Sequence, residues 1–122
     1  MYRTHTCGEL RSENIGSEII LGGWVQRVRK LGGMSFIDLR DRYGITQLVV
    51  DEKASDELKQ AVGNLGREFV LQVTGIVLER QSKNAKMPTG DIEIEIKQIK
   101  VLSSSDVPPF TIQTDTDGGD EL

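Results

Sequence analysis

Three successive segments carry the alternation and β-branched content of strands, the next carries apolar residues at helical spacing, and two more return to the strand pattern. A strand buries alternate residues and a helix buries those three or four apart, so this order of periods predicts three strands, one helix and two strands. The segments are EIILGGWVQRVRKL (18–31), MSFIDLRD (34–41), ITQLVVD (45–51), SDELKQAVGNL (55–65), EFVLQVTGIVLER (68–80) and DIEIEIKQIKVL (91–102). RYGI (42–45) makes a hairpin of the second and third strands. Gly22 and Gly23 mark a bulge or a sharp bend in the long first strand. The apolar phase of the last strand slips from Ile92, Ile94 and Ile96 to Ile99 and Val101, which suggests a bulge or a strand moving to a different face.

Between these segments, QSKNAKMPTG (81–90) reads as a long exposed loop, and 103–122 as a linker or tail with little to bury. A chain of 122 residues has room for one modest core. The expected architecture is all-β with one short helix: a five-stranded Greek-key OB-fold barrel whose helix lies between strands three and four. SH3-like barrels and small sandwiches share much of this pattern. The expected boundaries are a barrel over 1–105 and a linker over 106–122.

The formal charge of -4 argues against a nucleic-acid partner only until its distribution is considered. Five acidic residues and no basic one lie from Asp106 onward, leaving 15 basic against 14 acidic residues before it. Between Trp24 and Tyr43, Arg27, Arg29, Lys30, Arg40 and Arg42 face only Asp38 and Asp41. Phe36 falls on the polar face of the second strand, with Asp38 and Arg40. In an OB barrel, strands two and three carry the ligand face, so Phe36 there is a candidate stacking platform for a base. Arg27 and Arg29 would meet phosphates, and Gln47 a base edge. Each residue alone has an ordinary reading: a single apolar side chain on a surface, or arginines laced with Asp38 and Asp41. Glu93 and Glu95 would ordinarily be the wet face of the last strand, although they suit base-edge donors.

Catalysis finds little support. His5 is the sole histidine and Cys7 the sole cysteine, so neither a triad nor a metal cluster can be assembled around them. No phosphate-binding GxxxxGK is present. A lone thiol, no export signal and no membrane-spanning run suggest a cytoplasmic protein with no membrane partner.

TCGELR, GWVQRVRKLGGMSFIDLRDRYGITQLVV, LQVTGIV and TGDIEIE occur in order and together resemble the N-terminal anticodon-binding domain of bacterial-type aspartyl-tRNA synthetases, over residues 1 to about 105. The resemblance implies that the barrel grips the anticodon loop of the aspartate tRNA. A class II domain outside this chain would use ATP and magnesium to charge it, in a homodimeric parent. No cofactor is expected in the barrel itself, and no DNA. Residue by residue, Phe36 resembles the family's stacking aromatic and Gln47 the glutamine reading the central uracil. Arg29 and Glu93 fall at the first anticodon base, and Arg80 and Asn84 near the third. Arg27 and Arg40 are expected on the RNA backbone. Val28 and Lys30 replace members of a more basic run, and Met34 and Ser35 a more aliphatic pair, which softens the basic edge. Barrels of the asparagine and lysine synthetases, and a general module for single-stranded DNA or protein contacts, are the alternatives. The latter calls for several face aromatics and a clear basic excess.

Overall fold

A computed structural model describes residues 3–81 and 83–103. The strands are β1 (Glu18–Leu31), β2 (Met34–Asp41), β3 (Gly44–Val50), β4 (Val70–Glu79) and β5 (Ile92–Ser103), with α1 (Asp56–Gly63) between β3 and β4. They close into a barrel in the order β1-β2-β3-β5-β4, with β4 returning to β1. All neighbours are antiparallel except β3 and β5, which run parallel over Leu48–Ile94 and Val49–Glu95. This is the OB topology. The predicted β1 and β2 bounds match, and the other elements agree to within two residues at each end. The proposed linker, 106–122, lies outside the described residues.

β1 is long because it serves two neighbours: Glu18–Trp24 pair with β4, and Trp24–Leu31 with β2. Its interior side chains are Ile19, Leu21 and Val25, which meet Ile37 and Leu39 of β2, Leu48 and Val50 of β3, Leu71, Val73 and Val77 of β4, and Ile92, Ile94 and Ile96 of β5. Burying such aliphatic side chains contributes about 1.5–3 kcal/mol each, enough to define one core. The amphipathic α1 adds Val62, with Leu58 and Leu65 packed against the cluster. Ser55 caps it, its hydroxyl accepting the Leu58 N–H at 3.2 Å, and Asp56 and Glu57 occupy the positive first turn.

Both bulges matter, and one lies elsewhere than expected. The β5 slip is a true register shift, with Gly75 opposite Ile96 and Thr74 opposite Gln98, leaving Lys97 as the extra residue. In β1, however, the shift falls at Gln26, between Val25 and Arg27. Gly22 and Gly23 stay in register with Gln72 and Leu71. What Gly23 provides is clearance, since a Cβ there would collide with the Arg40 carbonyl.

The segment before β1 also belongs to the core. Cys7 and Leu10 are fully buried. Thr46 Oγ1 donates to the Cys7 carbonyl at 2.7 Å, and the Cys7 N–H donates to Asp41 Oδ2 at 2.8 Å. Burial first, and the neighbouring Asp41 charge second, push the Cys7 thiol far above its ordinary range. Asp41 is therefore no surface partner of Arg27, Arg29 or Arg40. Its carboxylate is buried and accepts the N–H groups of Tyr43 and Gly44 at 2.7 and 3.1 Å, closing the β2–β3 turn. Its ion-pair partner is Arg3, at 3.7 Å.

Candidate nucleic-acid interface

The Gln26 bulge decides which face the arginines occupy. Side chains alternate, so a regular strand with Val25 inside would also turn Arg27 and Arg29 inside. The extra residue inverts the phase. Arg27 then pairs with Asp38, Arg29 with Phe36 and Leu31 with Met34, all on the outer face, while Val28 opposite Ile37 points in. The bulge residue also contributes a contact, Arg40 Nη1 donating to Gln26 Oε1 at 2.9 Å.

On β2 and β3 the outer face continues as Phe36 opposite Val49 and Asp38 opposite Gln47. Val49 is buried yet stands apart from the interior cluster, opposite Phe36 on the outer face. Phe36 is half-buried over this floor, with the Arg29 guanidinium 5.5 Å from its ring centroid. The ring is thus held in place, and the cation–π contact keeps Arg29 extended across the face.

Arg29 is the hub. Its Nη2 donates to Gln47 Oε1 at 2.8 Å and lies 3.7 Å from Asp38 Oδ1. Gln47 Nε2 in turn donates to Glu93 Oε1 at 3.0 Å, bridging β3 to β5. Gln47 is only 5% exposed. The Nε of Arg29 is buried with no hydrogen-bond partner among the described residues. An unsatisfied buried donor costs about 1–3 kcal/mol, so a ligand acceptor reaching it would recover that free energy.

The β4–β5 loop forms the rim. Asn84 organises it: its N–H donates to the Gly90 carbonyl at 3.0 Å, its Oδ1 accepts the Lys86 N–H at 3.0 Å, and its carbonyl accepts the Met87 N–H at 3.1 Å. The buried Thr89 fastens the loop to β3 by donating to the Ile45 carbonyl. Arg80, at the loop's base, reaches Met87 Sδ at 4.0 Å and also has a buried Nε with no hydrogen-bond partner among the described residues.

The structure therefore joins Phe36, Arg29, Gln47 and Glu93 in one contact network, with Arg27 and Arg40 on the same outer face. It places Arg80 at the base of the adjoining β4–β5 loop and Asn84 within it, outside that network. Sequence reasoning missed Gln26, whose signal is the spacing of Val25 and Val28. It also missed Val49, whose signal is that Leu48, Val49 and Val50 are consecutive apolar residues and so must line both faces. Asp38, read as a surface salt-bridge residue, does approach Arg29.

Comparison with known proteins agrees with this geometry. The tRNA anticodon family model, described as an OB-fold nucleic acid binding domain, matches residues 19–102. The chain is 61% identical to the aspartate–tRNA ligase of Bacteroides thetaiotaomicron over its whole length, which is 21% of that protein. Among solved structures, an OBody bound to hen egg-white lysozyme superposes with a TM-score of 0.77 at 26% identity, covering 86% of this chain and 97% of that one. The asparaginyl-tRNA synthetase of Pyrococcus horikoshii gives 0.71 at 30% identity, covering 82% and 23%. The chain thus spans about a fifth of the length of the curated relatives it matches. With a closed barrel of the right strand order and a family match over most of its length, the chain belongs to the OB-fold nucleic acid binding domains of the tRNA anticodon family.

Proposed function

We propose that this chain is the anticodon-reading part of an aspartate–tRNA ligase, binding the anticodon loop of the aspartate tRNA. The observation that carries the reading is the Phe36–Arg29–Gln47–Glu93 network: a braced aromatic ring beside an amide, a cation and a carboxylate. Bases in a splayed loop are recognised by stacking and by hydrogen bonds to their Watson–Crick edges, and these groups supply both.

In this reading Phe36 stacks a base, Gln47 reads the central uracil, and Arg29 and Glu93 meet the first anticodon base. Arg80 and Asn84 approach the third, and Arg27 and Arg40 neutralise phosphates. Aminoacylation with ATP and magnesium belongs to the remainder of a homodimeric, cytoplasmic parent. Among the described residues, no group of three His, Cys, Asp or Glu side chains is placed to hold a metal ion.

Binding to an anticodon stem-loop with the sequence GUC, beside one with a changed central base, tests the reading by fluorescence anisotropy. A clear preference for GUC supports it. Equal binding of both loops, or none at low salt, contradicts it.

A further inference from the structure

Gln47 touches two charged side chains of opposite hydrogen-bonding character. Arg29 has five N–H donors and no acceptor, while the carboxylate of Glu93 accepts and does not donate. The amide lies between them, Oε1 against Arg29 at 2.8 Å and Nε2 against Glu93 at 3.0 Å. Rotating it by half a turn would set N–H against N–H on one side and oxygen against oxygen on the other. Its orientation is therefore determined by its neighbours and not merely preferred.

From this we infer that Glu93 is a positioning residue: with Arg29 it locks the Gln47 amide in one orientation, and that lock makes the site select uracil over cytosine. The inference rests on the proposed reading of the central base by Gln47 and deepens it.

The chemistry follows from the two pyrimidine edges. Uracil offers the N3–H donor flanked by carbonyl acceptors, whereas cytosine offers the N4 amino donor beside the N3 acceptor. Going from position 4 to position 3, uracil reads acceptor then donor and cytosine donor then acceptor. An amide free to rotate can match either order. A locked amide matches only one, provided that the ring cannot slide, and stacking on the half-buried Phe36 supplies that restraint.

Near-complete burial of Gln47 strengthens the selection, because water has little room to repair a mismatched pair. The same geometry gives Glu93 a task that does not require it to touch RNA. A glutamine at 93 would offer both an acceptor and a donor, so both orientations of Gln47 would become tolerable on that side.

The test uses the 122-residue chain and two anticodon stem-loops, GUC and GCC. Wild type is expected to prefer GUC. In Glu93→Gln the U-over-C ratio falls several-fold, whereas Glu93→Asp, still acceptor-only, keeps most of it. Exchanging the partners, Arg29→Glu with Glu93→Lys, turns the amide around and shifts preference toward GCC. Phe36→Ala, which removes the restraint on sliding, weakens both loops and lowers the ratio as well, whereas Glu93→Gln lowers the ratio with stacking intact. Circular dichroism reports folding; if Glu93→Gln does not fold, Arg29→Gln opens the lock from its other side with the same expectation. A wild type that prefers GUC together with a Glu93→Gln ratio equal to wild type overturns the lock and leaves the base-reading role standing. A wild type that binds both loops equally overturns the base-reading role and the lock with it.

Discussion

Val25 and Val28 both face the barrel interior although an odd number of positions separates them, because Gln26 is bulged out of the β1–β2 pairing. One unpaired residue thereby sets Arg27 and Arg29 on the outer face. Deleting Gln26 should leave Val25 opposite Leu39 and Arg27 opposite Asp38 in unbroken alternation, so both arginines stay on the outer face. The deletion variant is therefore expected to fold, losing only the local twist of the bulge and the contact to Arg40. Gln26→Ala, which loses only the contact to Arg40, should change stability by less than about 1 kcal/mol in urea unfolding.

Phe36→Ala should weaken anticodon-loop binding by about 1–3 kcal/mol, roughly 5- to 150-fold, with the salt dependence unchanged. Arg27→Ala and Arg40→Ala should behave in the opposite way. If each meets one phosphate, each lowers the slope of log affinity against log salt by about one while leaving base preference intact. Titrations at several salt concentrations separate the two classes.

The thiol of Cys7 is buried beside Asp41 and held protonated well above its ordinary value of 9.0. Below that pH the thiol is neutral in native and unfolded chains alike and the difference between them is nil. Above it only the unfolded chain ionises, so stability falls as pH rises, by about 1.4 kcal/mol per pH unit. Cys7→Ala should abolish this alkaline slope in denaturant titrations. Thiol reagents should label Cys7 only as fast as the chain unfolds.

Glu68, just before β4, has a φ of 73°, in the left-handed region that disfavours side chains. Its N–H is held by the Val25 carbonyl at 2.8 Å, so the conformation is imposed by the barrel. Glu68→Gly relieves strain at some cost in unfolded-state entropy, and is expected to raise stability by up to about 1 kcal/mol, seen as a higher Tm.

Much of this was legible in the sequence because period and phase are local properties. The order of strands and helix, and the β5 bulge, followed from where apolar residues alternate and where Ile96 gives way to Ile99. The β1 bulge was misplaced because Gly22 and Gly23 carry the compositional sign of irregularity, whereas the actual irregularity sits in a polar residue that any strand tolerates. Asp41 was misread because two of its partners, Cys7 and Arg3, are more than thirty residues away and meet it only once the barrel closes. Phe36 and Gln47 were singled out as candidates by face and by resemblance. The Arg29–Gln47–Glu93 contacts join three strands, β1, β3 and β5, and no local pattern encodes them.

The central claim is that RNA lies on the outer face of β1, β2, β3 and β5. It is tested most directly by nuclear magnetic resonance titration of the labelled chain with a GUC anticodon stem-loop. The account predicts large shifts in the Gln47 side-chain amide, the Phe36 ring and the Arg29 Nε–H, the last moving as its unpartnered donor finds an acceptor. Shifts confined to α1 and the adjoining strand surface around Gln72 and Thr74, with Phe36 and Gln47 unmoved, would contradict it.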